Sequence, residues 1–470
     1  MALRRLSALD GAFLALESAE APMHVGWAAV FAPPADGAPV PSLESVRSHV
    51  AGRLERAPRY RQRLVDVPLG VTDPVWVDDE NFDVAAHVRG AHPEDFGALV
   101  DEVLSAPLPH DRPLWELWIV TGLDGGRLGV VGKAHHCLVD GLGAVELMAL
   151  LLDPTPEPER GEAAPWTPGR RPGPFELLGD AVGDGIGRAW RMARAPLNLA
   201  REPGRVLDLP AHAVRSGRAM LHTVAPLAPA SPLNGPMSPR RHLACMSRPL
   251  EDLKVIKRRF GTTINDVLLA ASAGAMRALQ QAREEPPTAV KAMVPVSVGD
   301  TDGEWGNRIA FLFLSLPCEE PDPLWRLRDV HGAMRDRKQG GEPEGADAML
   351  GLLSLAPRPL RRVASHALAD PRISNLTISN IPGPPMDLYL LGCRAERAYP
   401  VVPLTPGHGM SIGMTTVAGQ ACFGVYAQAG LAEDADRVAA GLDEAIDELL
   451  GLCDEGPHGA PSDASQRTRS

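Results

Sequence analysis

Two clusters of proline divide the 470-residue chain and limit the folds that it can adopt. Seven prolines lie between residues 154 and 174, and four more lie between 226 and 236. Because proline lacks an amide hydrogen and fixes its own φ angle, such stretches form extended connections rather than core strands or helices. We therefore predict a first half over residues 1–152, a crossover linker over 153–236, a second half over 237–452 and a disordered tail over 453–470.

Both halves alternate helix-like and strand-like segments, a pattern that is typical of α/β proteins. The predicted helices cover residues 42–56, 96–104, 142–152, 250–260, 267–282, 323–337 and 433–452. The predicted strands cover residues 115–120, 128–134, 292–297, 308–316, 373–379, 411–414 and 422–426. Residues 261–266 are predicted to form a turn.

Charge and cysteine content exclude several classes of function. The formal net charge is -12, and residues 433–470 carry ten acidic and three basic side chains, so the rest of the chain is only mildly acidic. This balance argues against nucleic acid as the partner. The six cysteines form no CxxC pair, which disfavours a zinc site or a disulfide scaffold and indicates a reducing cytoplasm.

No segment has the pattern of a signal peptide or a membrane-spanning helix. The N-terminus lacks a continuous apolar core. Residues 398–432 contain no charged side chain, but three prolines and six glycines interrupt them, so buried strands explain them better. A cytoplasmic location is therefore expected.

The linker contains a basic stretch with two open interpretations. Residues 175–200 and 210–221 have helical patterns, and residues 185–220 carry seven arginines against two acidic side chains. One interpretation is a surface that rests on anionic lipid. The other is a solvated connection whose arginines pair with the acidic body, and glycines near its start weaken the helix.

The segment His135–Gly141 has the clearest potential for chemistry. It reads His-His-Cys-Leu-Val-Asp-Gly and joins a predicted strand to a predicted helix. Gly141 permits a sharp turn, and Asp140 is suited to cap the following helix. Because neighbouring side chains of a strand point to opposite faces, we predict that one histidine is a base in a cleft and the other a scaffold. The alternative is a pair of hydrogen-bonded core histidines.

A histidine at such a corner can act as a general base on the hydroxyl group of a substrate. A hydroxyl group with a pKa near the value of about 15.7 for water cannot be deprotonated in advance by imidazole, whose pKa is about 6.5. The proton must therefore move while the oxygen attacks. Burial is expected to keep the base neutral, and Asp140 is placed either to orient the imidazole or to pair with an arginine. Cys137 offers a thiol nucleophile as an alternative.

A second motif, Gly409-Met-Ser411-Ile-Gly413, fits the GxSxG pattern of serine hydrolases. That pattern requires a strand-to-helix turn and a later acid and histidine. The residues after Ser411 are strand-like, and the next histidine along the chain is His458 in the predicted tail. We therefore predict that the match is accidental, and a serine esterase is the alternative function.

The chain resembles the bacterial wax ester synthase/acyl-CoA:diacylglycerol acyltransferase family in an ordered set of motifs. His135–Gly141 matches its HHxxxDG signature, and Asn265-Asp266 matches its ND motif. The other similar segments are Leu6–Phe13, Pro22–His24, Pro113–Trp115, Leu233–Arg241, Gly306–Arg308 and Ser379–Pro384. The histidine motif alone occurs throughout the chloramphenicol acetyltransferase and condensation-domain superfamily, so the ordered set carries the resemblance.

The resemblance implies a fold and a set of site residues. The implied α/β fold has two chloramphenicol-acetyltransferase-like halves, each a two-layer α+β unit, joined by a crossover linker with an active-site tunnel between them. His136 is implied to be the general base. The other implied site residues are His135, Asp140, Gly141, Asn265 and Asp266, and no metal is implied.

The resemblance also implies the substrates. Acyl-CoA is the expected co-substrate, with no further cofactor, and diacylglycerol or a long-chain alcohol is the expected acceptor. Peripheral contact with the inner face of the membrane or with lipid droplets is expected. The alternatives are another hydroxyl or amine acceptor, an acyl carrier protein as donor, and a non-catalytic protein of the lipid-droplet surface.

Overall fold

The computed structural model describes residues 4–139, 150–158, 166–183, 185, 187, 226–298, 308–339, 356 and 358–454. Some predictions lie outside these residues. They are Asp140, Gly141, Gly306 and Asn307, most of the helix over 142–152, the helix over 175–200 from residue 188 onward with all seven arginines of the basic stretch, the helix over 210–221 and the tail from residue 455 onward.

The described residues form helices and strands that alternate along both halves. The helices are α1 (Ala8–Leu16), α2 (Leu43–Ala51), α3 (Val84–His87), α4 (Phe96–Ser105), α5 (Leu250–Phe260), α6 (Ile264–Ala282), α7 (Pro323–Gln339), α8 (Arg358–Leu368) and α9 (Ala432–Asp454). The strands are β1 (Arg4–Arg5), β2 (His24–Phe31), β3 (Gln62–Val65), β4 (Val75–Asp78), β5 (Val88–Ala91), β6 (Trp115–Leu123), β7 (Arg127–His135), β8 (Arg241–Pro249), β9 (Val290–Val298), β10 (Arg308–Leu316), β11 (Leu376–Ile381), β12 (Tyr389–Leu390), β13 (Cys393–Val401), β14 (Met410–Val417) and β15 (Gln420–Gln428).

Two six-stranded sheets form the centres of the two halves. The strand order is β12-β13-β2-β7-β6-β5 in the first sheet and β10-β9-β11-β14-β15-β8 in the second. Strand β5 pairs with β6 in parallel, and β11 pairs in parallel with β9 and β14. The predicted α/β class with two halves is confirmed. A small sheet of β1, β4 and β3 lies beside them.

Small residues allow α6 and α9 to pack closely in the second half. A Cβ atom at Gly274 would lie 2.8 Å from the Cβ atom of Ala445, and a Cβ atom at Gly441 would lie 3.1 Å from the backbone of Ala275. The residues from Val267 to Met276 are buried without interruption. This alanine- and leucine-rich helix therefore lies largely inside the core of the second half.

The second half of the chain completes the sheet of the first half. Strand β13 pairs antiparallel with β2, with Pro400 opposite Trp27 and Val401 opposite Gly26. Strand β12 extends the same edge. The sequence did not predict this exchange, because an isolated strand carries no signal for the sheet that it joins.

Glycines allow the two sheets to meet at very short range. A Cβ atom at Gly424 in β15 would lie 2.2 Å from the carbonyl oxygen of Pro400 in β13, and one at Gly413 in β14 would lie 3.0 Å from the side chain of Val402. Real Cβ atoms do not approach a carbonyl oxygen so closely, so only glycine fits at Gly424. The seam between the halves therefore depends on backbone packing.

Helix α4 of the first half binds the edge of the second sheet through Asp101. One carboxylate oxygen accepts the amide of Leu243 at 3.0 Å, and the other lies 2.8 Å from Nδ1 of His242. Nε2 of His242 lies 3.1 Å from the carboxylate of Asp436 in α9. Burial opposes the charged imidazole, but the two carboxylates outweigh it and raise the pKa of His242.

The bridge formed by His242 predicts that wild type and a His242 variant differ in stability by an amount that depends on pH. A group whose pKa is raised by folding stabilises the folded state below its unfolded pKa of about 6.5, and this contribution disappears as pH rises through the folded pKa. We expect His242→Gln to lower the free energy of unfolding by about 1 kcal/mol in mild acid and by less in mild base. Urea unfolding at both pH values measures this, and an equal loss at both values would contradict it.

Most predicted elements lie within a few residues of the observed ones, and α5 and β10 match the predicted bounds. The turn predicted over residues 261–266 is wrong at its end, because α6 begins at Ile264. The Thr263 side chain accepts the amide of Asp266 at 3.1 Å, and the Asp266 carboxylate accepts the amide of Thr263 at 2.9 Å. This capping box starts the helix earlier than its apolar spacing suggests.

None of the helices within the described ranges combines the length and the apolar character that are needed to cross a membrane.

Candidate active site

The last residue of β7 and the turn that follows it carry the two histidines. Strand β7 lies between β2 and β6 in the first sheet and ends at His135, and the next three residues form a turn. The amide of His136 donates to the carbonyl of Met23 at 3.0 Å, and the amide of Leu138 donates to the carbonyl of His135 at 2.9 Å. Together with the burial of Cys137–Val139, these bonds anchor the turn to the first half.

His135 is enclosed and has one defined tautomer. The amide of Cys137 donates to its Nδ1 at 3.1 Å, and the sulfur of Cys137 lies 2.9 Å from the same atom. Because Nδ1 accepts, the neutral ring carries its proton on Nε2, which lies 3.8 Å from the Glu17 carboxylate. Burial lowers the pKa of His135 to about 4, although Glu17 opposes the shift. His135 is thus a neutral, fixed side chain.

His136 differs from His135 because the residue as a whole is partly exposed, whereas His135 is fully buried. The ring stacks on Phe13 of α1, with the centroids 3.6 Å apart and the planes inclined by 19°. Loss of solvent around the ring lowers the pKa of His136 to about 4, and its own backbone carbonyl opposes this shift weakly. Nδ1 is enclosed and makes no full hydrogen bond with the described residues. The imidazole is therefore neutral near pH 7 and able to accept a proton.

Glu17 links His135 to His110. One Glu17 oxygen lies 3.0 Å from Nε2 of His110, and this hydrogen bond raises the pKa of His110. His24 lies opposite His135 in the pairing of β2 with β7, and burial together with Lys133 lowers its pKa. The ring centroids of His24 and His110 lie 6.4 and 6.3 Å from that of His135. Over the described ranges, no group of three or more histidine, cysteine, aspartate or glutamate residues is arranged to hold a metal ion.

No role for Phe13, Glu17 or His110 is predicted from the sequence. A local signal exists for the helix that carries Phe13, because Ser7 and Asp10 form a capping box at its start. Nothing in the local pattern predicts that this helix contacts a turn so distant in the chain. The contact between Phe13 and His136 could therefore be found only in the folded structure.

Cys137 is unsuited to act as a nucleophile. It is fully buried, and burial raises the pKa of its thiol well above the usual value. The thiolate is the reactive form of cysteine. The observed contact of the sulfur with Nδ1 of His135 assigns Cys137 to the support of that ring.

Asn265 and Asp266 lie in the first turn of α6 in the second half. Besides capping the helix, Asp266 lies 2.8 Å from Nδ1 of His331 and is almost completely buried. Across the described parts of the chain, no hydrogen bond or ring contact joins either residue to His135 or His136. Their place near the catalytic centre therefore stays a prediction, as do the roles of Asp140 and Gly141.

The GxSxG match has a structural explanation. Ser411 lies inside β14 and donates its hydroxyl to the carbonyl of Val402 at 2.7 Å, with only 1% of its surface exposed. A Cβ atom at Gly409 would lie 2.7 Å from the carbonyl of Leu233, and Gly413 lies at the seam described above. Both glycines are thus required by packing, and Ser411 lacks the exposed strand-to-helix turn of a serine nucleophile.

An open pocket of about 440 Å³ lies in the first half, and neither His135 nor His136 belongs to its lining. Its lining is mostly charged and consists of Arg63, Asp79, Asn81, Asp83, Ala86, His87, Asp111 and Arg112. Such a lining does not suit a fatty acyl chain. This pocket is lined by residues of the first half only, so it is not the active-site tunnel implied between the halves, and that tunnel stays a prediction.

Because Phe13 stacks on His136, removing the Phe13 ring is expected to shift the acid limb of the profile of activity against pH. Because the reaction needs neutral imidazole, activity is expected to fall only as pH approaches the value of about 4 given by the pKa of His136. Phe13→Ala admits water, so we expect the limb to move toward about pH 6.5 and the rate to fall about 10- to 100-fold. The profile of kcat/KM against pH measures both effects. Phe13→Leu keeps the apolar contact and serves as control; an unmoved limb in Phe13→Ala would contradict the account.

Comparison with known proteins covers nearly the whole chain. Residues 6–268 match the model of the wax ester synthase/diacylglycerol acyltransferase catalytic domain, and residues 305–450 match the C-terminal domain of that family. A putative diacylglycerol O-acyltransferase of Mycobacterium tuberculosis is 33% identical over 98% of this chain and 92% of the relative. A probable diacylglycerol O-acyltransferase of the same species is 29% identical, with 96% of each chain covered.

Solved structures show the same fold. The wax ester synthase/diacylglycerol acyltransferase from Marinobacter aquaeolei VT8 has a TM-score of 0.66 and 25% identity, covering 95% of this chain and 99% of the other. Polyketide synthase associated protein 5 from Mycobacterium tuberculosis has a TM-score of 0.54 and 15% identity, covering 97% and 98%. The second match supports the fold alone.

Proposed function

The chain belongs to the wax ester synthase/diacylglycerol acyltransferase family, and from that premise we propose that it transfers a fatty acyl group from acyl-CoA to the free hydroxyl of diacylglycerol. The products are triacylglycerol and CoA. Long-chain alcohols are the second proposed acceptor, and they give wax esters. No other cofactor enters the proposed reaction.

The observation that carries the mechanism is the state of His136. Its ring stacks on Phe13 in the turn that follows a central strand, the residue is partly exposed, and burial lowers the pKa of the imidazole to about 4. A neutral imidazole in a partly desolvated site is the form that can accept the proton of a hydroxyl group. We assign Nε2 as the accepting atom, because Nδ1 is enclosed.

The proposed reaction proceeds without a covalent enzyme intermediate. The hydroxyl oxygen attacks the thioester carbonyl while its proton passes to Nε2 of His136. The C–S bond then breaks, and the CoA thiolate takes the proton from the imidazolium, so that ester, CoA thiol and neutral enzyme result. A low imidazole pKa makes the second transfer favourable, because a thiol with a pKa of about 8.5 binds the proton more strongly.

A general base contributes about 10²- to 10⁴-fold to such a reaction. The remaining acceleration must come from holding the acceptor and the thioester together and from stabilising the oxyanion. His135 contributes indirectly in this proposal: its fixed tautomer and its neighbour Glu17 hold the turn in place. Peripheral contact with a membrane or a lipid droplet completes the proposal, because diacylglycerol resides in such phases.

The test offers the purified protein one acyl-CoA with diacylglycerol and hexadecanol in competition, and measures both esters and the released thiol. We expect thiol release to depend on an acceptor and to equal the ester formed. Release of free fatty acid without acceptor, abolished by Ser411→Ala, would support a serine esterase instead. Transfer to an amine in preference to both alcohols would contradict the proposed acceptor class.

A further inference from the structure

Helix α8 (Arg358–Leu368) turns its apolar side away from the protein. Leu360 is 58% exposed and Val363 is 66% exposed. Ala367, one turn further on, is also exposed. No residue of α8, which the structure describes in full, is buried. This is the reverse of the usual arrangement, in which a surface helix buries its apolar stripe.

The polar side of α8 faces the first half. The Arg361 side chain is only 11% exposed and forms an ion pair with Asp73. Arg358 donates to the carbonyls of Gly70 and Thr72 at 3.3 and 3.1 Å. The guanidinium groups therefore fix the helix in its reversed orientation, and the exposed apolar side follows from specific contacts.

The turn held by Arg358 exposes further apolar side chains. Leu69 is 89% exposed and Val71 is 50% exposed. Leu69 has a φ angle of 62°, a left-handed conformation that asparagine or glycine adopts with less strain. A protruding leucine in a strained turn has no stabilising role in the isolated fold.

The charge of this region points to an anionic partner. Helix α8 contains no acidic residue, although the whole chain has a net charge of -12, and Arg362 remains on its exposed side while its other two arginines bind the first half. Arg362 and His366 lie on the exposed side, next to the apolar stripe. Basic side chains beside exposed apolar ones are the pattern of helices that lie in the interface of anionic membranes.

We infer that α8 and the turn of residues 68–71, here called the docking surface, bind the surface of an anionic phospholipid bilayer. Protruding single side chains insert between lipids, whereas a peptide partner requires a groove, and the exposed residues here project from a helix and a turn. The inference rests on the proposed function, since it brings the enzyme to the phase that holds diacylglycerol. It names the part of the protein that makes this contact.

A neighbouring helical segment extends the same region. Residues 174–183 are helical, and Arg5 links them to the turn by contacting both Asp180 and Thr72. Phe175 is 89% exposed. Lipid contact was one of two interpretations of residues 175–220, and the described part of that stretch supplies an exposed aromatic side chain near the docking surface.

The test measures binding to vesicles. Full-length protein is sedimented with vesicles of phosphatidylcholine alone and with vesicles of equal parts of phosphatidylcholine and phosphatidylglycerol. The double variant Leu360→Asp, Val363→Asp is compared with Trp325→Asp, which places a single aspartate at an apolar residue of α7 that is 54% exposed. We expect the double variant to weaken binding to the anionic vesicles at least about tenfold, and Trp325→Asp to leave it unchanged.

The outcomes separate this inference from the proposed function. Each protein is also assayed with diacylglycerol dispersed in detergent, where the double variant is expected to match the wild type. Equal vesicle binding by wild type and double variant, or no binding by the wild type, would overturn the inference while activity in detergent would leave the proposed function intact. Loss of a dimer in the double variant with unchanged vesicle binding would also overturn it, in favour of a protein partner.

Discussion

His136→Ala is expected to lower kcat for ester formation by about 10²- to 10⁴-fold, the usual contribution of a general base. The residual rate comes from binding the two substrates side by side. The loss is expected in kcat rather than in KM, because the base acts only as the proton moves. Thiol release and ester formation are measured together over a range of acceptor concentrations.

A matched control separates chemistry from folding in this experiment. His92 is exposed, and its ring lies 3.3 Å from the hydroxyl of Thr121 on the outer part of the first sheet. His92→Ala is therefore expected to keep full activity. Urea unfolding should show that His136→Ala remains folded. Full activity in His136→Ala would remove the assignment of this residue as the base.

Gly424→Ala is expected to be strongly destabilising. The added methyl group would lie 2.2 Å from the carbonyl oxygen of Pro400, and a backbone carbonyl in a paired strand cannot move aside as a flexible side chain does. Overpacking typically costs about 1–3 kcal/mol, and we expect about 3 kcal/mol here. Because Gly424 lies at the seam between the sheets, activity should fall as well. The urea midpoint and ester formation are the measurements.

Gly332→Ala is the control for this substitution. Gly332 lies within α7, and nothing lies within 4 Å of the position of its added Cβ atom. Alanine is a better helix former than glycine, so we expect neutral or slightly increased stability, by about 0.5–1 kcal/mol. Similar midpoints for Gly424→Ala and Gly332→Ala would contradict the role of Gly424 in the seam.

The sequence predicted most elements of the fold because their apolar spacing is local. Residues 308–316 form an apolar strand and residues 250–260 form an amphipathic helix, and each ends where its pattern ends. The exchange of β13 into the first sheet was not predictable, since it depends on pairing with β2 across most of the chain. The need for glycine at the seam was not predictable either, because the atoms that these glycines approach belong to distant segments.

For the site, the motif predicted where a base would lie but not what surrounds it. Burial lowers the pKa of His136 and keeps the imidazole neutral. The ring that stacks on it belongs to Phe13, which is distant in the chain. The hydrogen bond that fixes the tautomer of His135 comes from the amide of Cys137, which backbone geometry decides. Asn265 was assigned to the site by resemblance alone, and this assignment stays a prediction.

The central claim is that His136 is a neutral base at working pH. Nitrogen-15 labelling of the histidine side chains, with His136→Ala to assign the signal, follows its protonation directly in the folded protein. We predict that His136 titrates near pH 4 and that Nε2 carries no proton above that pH. Titration near the ordinary pKa of about 6.5, or a proton on Nε2 in the neutral ring, would contradict the account.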